Sequence, residues 1–245
     1  MVKIGSDFEL PLMNGGQVRS IEGLLGGTKQ EPIDIGNNCQ KQEDNVMAEF
    51  NIPAVTTFKD FKKYIDYCIN YGNKFLYQAG ALIMQSSGFY SANEVSTDQG
   101  ATFGCEPSFD VYTQDFTTIE NPSTKLRSAG FHLHIDCTDD EDVIQRLVKK
   151  LDLYLGVPSI LLDPDTDRRA LYGKAGEFRF TEYGIEYRVL GSGMMRHLEF
   201  VWNGIFKALE DTSEHDAEVV RNIINTGDVM AAKAMYPELN VEVYA

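Results

Sequence analysis

The fold turns on the stretch Ser128-Ala129-Gly130-Phe131-His132-Leu133-His134-Ile135-Asp136-Cys137. Side chains alternate across a β-strand, so His132, His134 and Asp136 point to one side and Phe131, Leu133 and Ile135 to the other. The apolar side must pack on something. The opposite side holds two imidazoles and a carboxylate, where a solvated face would mix Thr, Ser, Lys and Glu. A lone His-x-His is compatible with an ordinary structural strand, so the other strands decide.

Three further stretches show the same pattern. Lys3-Ile4-Gly5-Ser6-Asp7-Phe8-Glu9-Leu10-Pro11 sets Asp7 and Glu9 against Ile4, Phe8 and Leu10. Glu43 to Pro53 reads as one strand ended by Pro53, with Glu43, Asn45, Glu49 and Asn51 opposite Val46, Ala48, Phe50 and Ile52. Gly184-Ile185-Glu186-Tyr187-Arg188-Val189-Leu190 places Glu186 and Arg188 opposite Ile185, Tyr187 and Val189. Side by side, these strands predict a cradle lined with hard oxygen ligands, histidine and arginine. The competing reading is a set of amphipathic strands with solvated outer faces; the near-absence of Lys, Thr and Ser from those faces argues against it.

Composition bounds the rest. The chain has 245 residues, 43% of them hydrophobic, enough for a substantial core. Its formal charge of −15 excludes nucleic acid as an expected partner, because phosphate binding needs clustered Lys and Arg. Acidity suits solubility, and equally a protein that gathers divalent cations on carboxylate oxygens. No run of apolar residues is long enough to span a membrane, and Met1-Val2-Lys3-Ile4 lacks a secretory signature, so no membrane partner and a cytoplasmic location are expected. Cys39, Cys68, Cys105 and Cys137 have no Cys-x-x-Cys spacing and read as reduced thiols.

Between the strands, Thr57 caps a helix expected over 58–86, with Gly72 as its weak point. Residues 87–127 read as a long polar loop containing two minor site candidates, Glu106 and Asp110. Thr138 and Glu141 form an expected capping box for a helix running to Leu155 and stopping at Gly156-Val157-Pro158. The acids Asp139, Asp140, Glu141 and Asp142 read as that helix's first turn rather than as a metal site. From Asp167 to Phe180 the chain packs Arg168, Arg169, Lys174 and Arg179 around Gly173 and Gly176. This reads as a loop for anionic oxygens, with arginine supplying bidentate geometry. The P-loop spacing is absent. Helices are expected over 194–210 and, in two short pieces, over 213–235. No repeat or linker divides the chain, which reads as a single domain, 1–245.

The ordered set of Gly5–Pro11, Asn45–Pro53 with Glu49, Gly130–Asp136, Arg169–Arg179 and Gly184–Leu190 resembles the carboxylate–amine ligases related to glutamine synthetase and glutamate–cysteine ligase. It is most similar to the phage-associated COOH-NH2 ligase type 2 proteins. The resemblance implies an α+β fold: a curved antiparallel β-sheet with helices packed on its outer face, as in the glutamine synthetase catalytic domain. It implies that the concave face binds ATP and Mg²⁺ or Mn²⁺. Asp7, Glu9, Glu49 and Glu186 would be metal ligands. One of His132 and His134 would reach a metal or the nucleotide phosphates. Arg169, Lys174 and Arg179 would bind phosphate, and Arg188 would lie beside the transferring phosphoryl group. The chain departs from relatives in its Asp-x-Glu first strand, where Glu-x-Glu is frequent, and it is much shorter than glutamine synthetase.

The chemistry fits these residue types. A carboxylate is a poor electrophile and must be activated, as an acyl phosphate, before an amine displaces phosphate. Metals held by Glu9, Glu49 and Glu186 would neutralise the phosphates, and Arg179 and Arg188 would take up developing charge. Glu106 is the candidate acceptor of the amine's proton. Expected partners are ATP and small-molecule or peptide carboxylates and amines, in the host cytoplasm for a phage-encoded protein. Two alternatives stay open: a zinc hydrolase built on His132 and His134, separable by zinc content, and a non-catalytic nucleotide or peptide binder of the same fold.

Overall fold

In the computed structural model, which describes residues 1–101, 107–117 and 125–239, the alternating stretches lie together in one nine-stranded sheet. In chain order its strands are β1 (Ile4–Leu10), β2 (Ile33–Gly36), β3 (Cys39–Asp44), β4 (Met47–Val55), β5 (Phe109–Asp110), β6 (Asp115–Phe116), β7 (Phe131–Asp136), β8 (Glu177–Thr181) and β9 (Gly184–Tyr187). Across the sheet the order is β6-β5-β8-β9-β7-β1-β4-β3-β2, with every pairing antiparallel. The N-terminal strand therefore lies inside the sheet, between β7 and β4. Smaller sheets join Leu12–Asn14 to Gln17–Arg19 and Ala81–Leu82, and Ser87–Phe89 to Leu126–Ser128.

One face of the sheet is the core. Ile4, Phe8, Leu10, Phe50, Phe131, Leu133, Ile135, Ile185 and Tyr187 are buried there, and the Phe8 and Phe50 rings stack at 5.7 Å. Against it pack helices α1 (Phe58–Phe75), α2 (Glu141–Leu151) and α3 (Val157–Leu162), and later α5 (Leu198–Glu210), α6 (Ala217–Thr226) and α7 (Val229–Met235), while α4 (Thr166–Leu171) lies on the Leu126–Ser128 strand through Leu171. Each buried Leu, Ile or Phe on this face contributes about 1.5–3 kcal/mol of transfer free energy. The architecture is α+β with a large antiparallel sheet.

Several expectations are corrected. Glu43–Pro53 is not one strand: the chain reverses at Asn45-Val46, where Asn45 adopts φ 56°, so β3 and β4 form a hairpin. Asn tolerates this left-handed conformation better than most residues, and nothing in the alternation announces it. Glu43 consequently leaves the Glu49 face, and its carboxylate accepts the N–H groups of Gly23, Leu25 and Gly26. Pro53 does not end β4; it sits where the β1 pairing skips between Ile52 and Val55, a bulge that needs no N–H from it. Helix α1 passes Gly72, which lies against Phe50 and Leu82, and ends at Phe75 instead of residue 86.

The second helix starts later than expected and ends at Leu151, but helical backbone continues beyond the expected stop. Asp140 is its cap, accepting the Val143 N–H at 3.1 Å, while Thr138 takes the Asp140 N–H. Pro158 does not stop the chain, because residues Asp152–Gly156 form a π-turn and α3 continues beyond it to Leu162. The wide turn directs Asp152 inward, where Tyr187 and Tyr112 donate to its two oxygens at 2.8 and 2.9 Å. The basic segment is likewise not one loop: it is α4, a turn, and β8.

Candidate active site

The face of the sheet opposite the core carries the chemistry, and strand register decides who meets whom. Asp7 on β1 lies directly across from His132 on β7 and Asn51 on β4. Glu9 lies across from Glu49. His134 lies across from Glu186, which in turn lies across from Arg179 on β8. Residues distant in sequence thus become neighbours at cross-strand spacing.

The tightest group is Asp7, His132 and Glu186, whose potential ligand atoms all lie within 4.8 Å of one another. His132 Nδ1 is 3.0 Å from Asp7 Oδ1 and 3.3 Å from Glu186 Oε1. His134 Nε2 approaches Asp7 Oδ1 at 3.5 Å. Both Asp7 Oδ1 and His134 Nε2 are sealed from solvent without a directed hydrogen bond. A buried oxygen and nitrogen that face each other unsatisfied are costly, and a cation between carboxylates and imidazole relieves them. The donor set of two hard carboxylates and one imidazole suits Mg²⁺ or Mn²⁺ and also admits Zn²⁺.

Electrostatics favour ligation. Burial pushes the Asp7 carboxyl up, but the two imidazoles outweigh it and hold it well below the usual range. Burial, helped by Arg188, lowers His132 against the pull of Asp7, which favours a neutral imidazole. Arginines frame the far side: Arg188 Nε lies 3.0 Å and Arg179 Nη1 3.7 Å from the Glu186 carboxylate.

A second acidic group flanks the first. Glu9 accepts the Gly130 N–H at 2.6 Å, and burial together with Asp44 pushes it up to about 8. Glu49 accepts from Gln42 at 2.6 Å and is raised well above its ordinary value by burial, then by Asp7, Asp44 and Glu9. A cation here would displace protons. Asp44 escaped the sequence reading because it stands at the end of the unforeseen hairpin.

Other predicted residues are placed elsewhere. Arg169 donates to Ser159 on α3 at 3.1 Å, on the helix side, so the structure does not bring it to the carboxylates. Lys174 is exposed on the turn before β8, outside the cluster as described. Asp110 is spent on its own turn, accepting the Tyr112 N–H at 2.7 Å. Glu106 lies outside the described residues. Arg168, read with the basic segment, is buried and braces the sheet end through Ser128 Oγ and the Leu190 carbonyl.

Two spaces adjoin the cluster. A cavity of about 510 Å³ is lined by Lys3, Gly5, Ile52, Ala54, His134, Asp136 and Tyr183, with the Tyr183 ring stacked on His134. A void of about 50 Å³ borders Glu9, Asp44, Asn45, Arg127 and Ser128 on the other side. Another cavity, about 720 Å³ between α2 and residues 211–217, shares Asp136 with the first but is lined by none of Asp7, Glu9, Glu49, His132, His134, Arg179, Glu186 and Arg188.

No curated protein matches the chain. No helix among the described residues is long and apolar enough to cross a membrane. The residues from 122 to 238, which carry His132, His134, Arg179, Glu186 and Arg188, match the model of the family described as phage phiEco32-like COOH.NH2 ligase-type 2, the family that the order of motifs resembles.

Proposed function

We propose that the protein is an ATP- and Mg²⁺- or Mn²⁺-dependent carboxylate–amine ligase, a single ligase domain of residues 1–245 with a glutamine synthetase-like catalytic fold. It would form a carbon–nitrogen bond through an acyl phosphate and release ADP and phosphate. The observation that carries this reading is the convergence of Asp7, His132 and Glu186, framed by Arg179 and Arg188. The family's name, that of a ligase of carboxylates and amines, agrees with it.

In this reading Asp7, His132 and Glu186 hold one divalent ion, and Glu9 and Glu49, with Asp44, hold another. The ions would supply neutralisation of the phosphate charges when bound. Arg188 and Arg179 stabilise the charge that builds on the transferred phosphoryl group. The nucleotide base and ribose occupy the cavity at His134 and Tyr183, whose aromatic and aliphatic walls suit a stacked ring. Peptide or small-molecule substrates and a cytoplasmic setting fit such chemistry.

The test is a calorimetric titration with Mg²⁺ and a non-hydrolysable ATP analogue, on the wild type, Asp7→Asn and Glu186→Gln. We expect binding that requires the metal and weakens by roughly tenfold or more in either variant. A wild type that binds no nucleotide with any divalent ion, and carries one tightly held zinc, would overturn the ligase reading.

A further inference from the structure

Arg188 is held from two directions. Its Nε meets Glu186 at 3.0 Å, and its Nη1 donates to Ser108 Oγ at 2.9 Å. Its guanidinium lies 5.2 Å from the ring centre of Tyr172. The Arg168 guanidinium lies 5.6 Å from the same ring centre, so two cations share one aromatic ring. The Tyr172 hydroxyl is 3.3 Å from Ser108 Oγ, which closes a ring of contacts around Arg188. Tyr172 is nearly sealed from solvent, at 4% exposure.

The loop that delivers Tyr172 is itself fastened. The Gly173 N–H donates to the buried Glu177 carboxylate at 2.9 Å. Gly173 has φ +77°, and a Cβ there would sit 2.7 Å from the Val189 carbonyl, so only glycine fits. Glu177 stands across from Arg188 in the sheet, and the Arg188 N–H donates to its carbonyl at 3.0 Å. The fastening thus runs from the strand of Arg188, through Glu177 and Gly173, back to the ring over Arg188.

We propose that Tyr172 is a positioning residue for Arg188. Arg188 touches the Glu186 carboxylate through Nε, so the orientation of the rest of its guanidinium is set by what holds the Nη end. The Tyr172 ring and the Ser108 hydroxyl fix the guanidinium while Nε rests on Glu186, which in this reading keeps it oriented toward an anion at the metal site. This inference rests on the ligase reading, in which that anion is the terminal phosphate of ATP. A positioned Arg188 then discriminates a triphosphate from a diphosphate, while the rest of the nucleotide site does not depend on it.

The experiment measures the affinities of Mg²⁺ with AMPPNP and of Mg²⁺ with ADP for the wild type, Arg188→Lys, Tyr172→Leu, Tyr172→Phe and Ser108→Ala. We expect Arg188→Lys and Tyr172→Leu to lose roughly tenfold in the AMPPNP-to-ADP affinity ratio with ADP binding unchanged, and Tyr172→Phe to restore most of it. Ser108→Ala, a small change that removes one hold, should lose a lesser part and reads out the clamp even if Tyr172→Leu does not fold. Loss of the ratio in Arg188→Lys, with wild-type ratios in both Ser108→Ala and any folded Tyr172→Leu, overturns the positioning role. Parallel loss of ADP and AMPPNP binding in Tyr172→Leu and Tyr172→Phe also overturns it, in favour of mere folding support. A wild type that binds neither nucleotide instead removes the ligase reading on which the inference stands.

Discussion

At the scale of single residues, the buried acids have departed furthest from their ordinary behaviour. Asp152 is fully buried, and burial pushes it up to about 7 despite hydrogen bonds from Tyr187, Tyr112 and Gly176. Its folded-state value lies above the unfolded one, so the stability it contributes is present below about pH 4 and is lost as pH rises to about 7. The slope approaches about 1.4 kcal/mol per pH unit, or on the order of 3–5 °C in Tm for a chain of this size. We expect Asp152→Asn to flatten the Tm-against-pH profile between pH 4 and 7; parallel profiles would refute the assignment. Which side chains converge was legible where alternation alone sets direction: Asp7, Glu9, His132 and Glu186 all face the site side. What was not legible depends on distant packing. Arg169 and Arg168 look alike in the sequence, yet α4 turns one toward Ser159 and the other into the sheet end. Tyr172 carries no local pattern that marks it.

At the scale of elements, the alternation announced β1, β7 and β9 but no strand order, while β3 and β4 read as a single strand and β8 as part of a loop. The hairpin at Asn45 escaped because a two-residue turn interrupts neither the polar nor the apolar alternation. The π-turn escaped for a related reason: Gly156 and Pro158 signal a helix end, and only tertiary packing at Asp152 carries the helix through. Turn chemistry is decisive where β8 meets β9. Gly184 has φ +141°, and a Cβ there would lie 2.3 Å from the Ile135 carbonyl and 2.7 Å from the Cys137 N. Both neighbours are backbone and neither can yield cheaply. Gly184→Ala should cost on the order of 2–3 kcal/mol, a Tm loss of roughly 5–10 °C, because it strains the hairpin that carries Arg179 and Glu186. Unchanged melting would show that the hairpin relaxes freely.

At the scale of the whole molecule, charge sets the terms on which ligands arrive. A net −15 draws in divalent cations and repels polyphosphates. Raising NaCl from about 20 to 200 mM shortens the Debye length from roughly 20 to 7 Å. We expect Mn²⁺ affinity to fall over that range while the association rate of Mg²⁺-bound AMPPNP rises, as followed by calorimetry and stopped flow. Equal salt slopes for cation and nucleotide would mean that the local arginines, not the global field, govern approach. The placement of β1 inside the sheet has a different consequence, for the chain during its synthesis. Ser6 hydrogen-bonds the carbonyl of His132, 126 residues downstream. At about 5–20 residues per second, the ribosome takes roughly 6–25 s to supply that partner. β4 and α1 emerge early in that interval, but the edge of β1 that β7 will cover stays open throughout it, the kind of surface that seeds aggregation. The sheet therefore closes around its first strand only after β7 emerges.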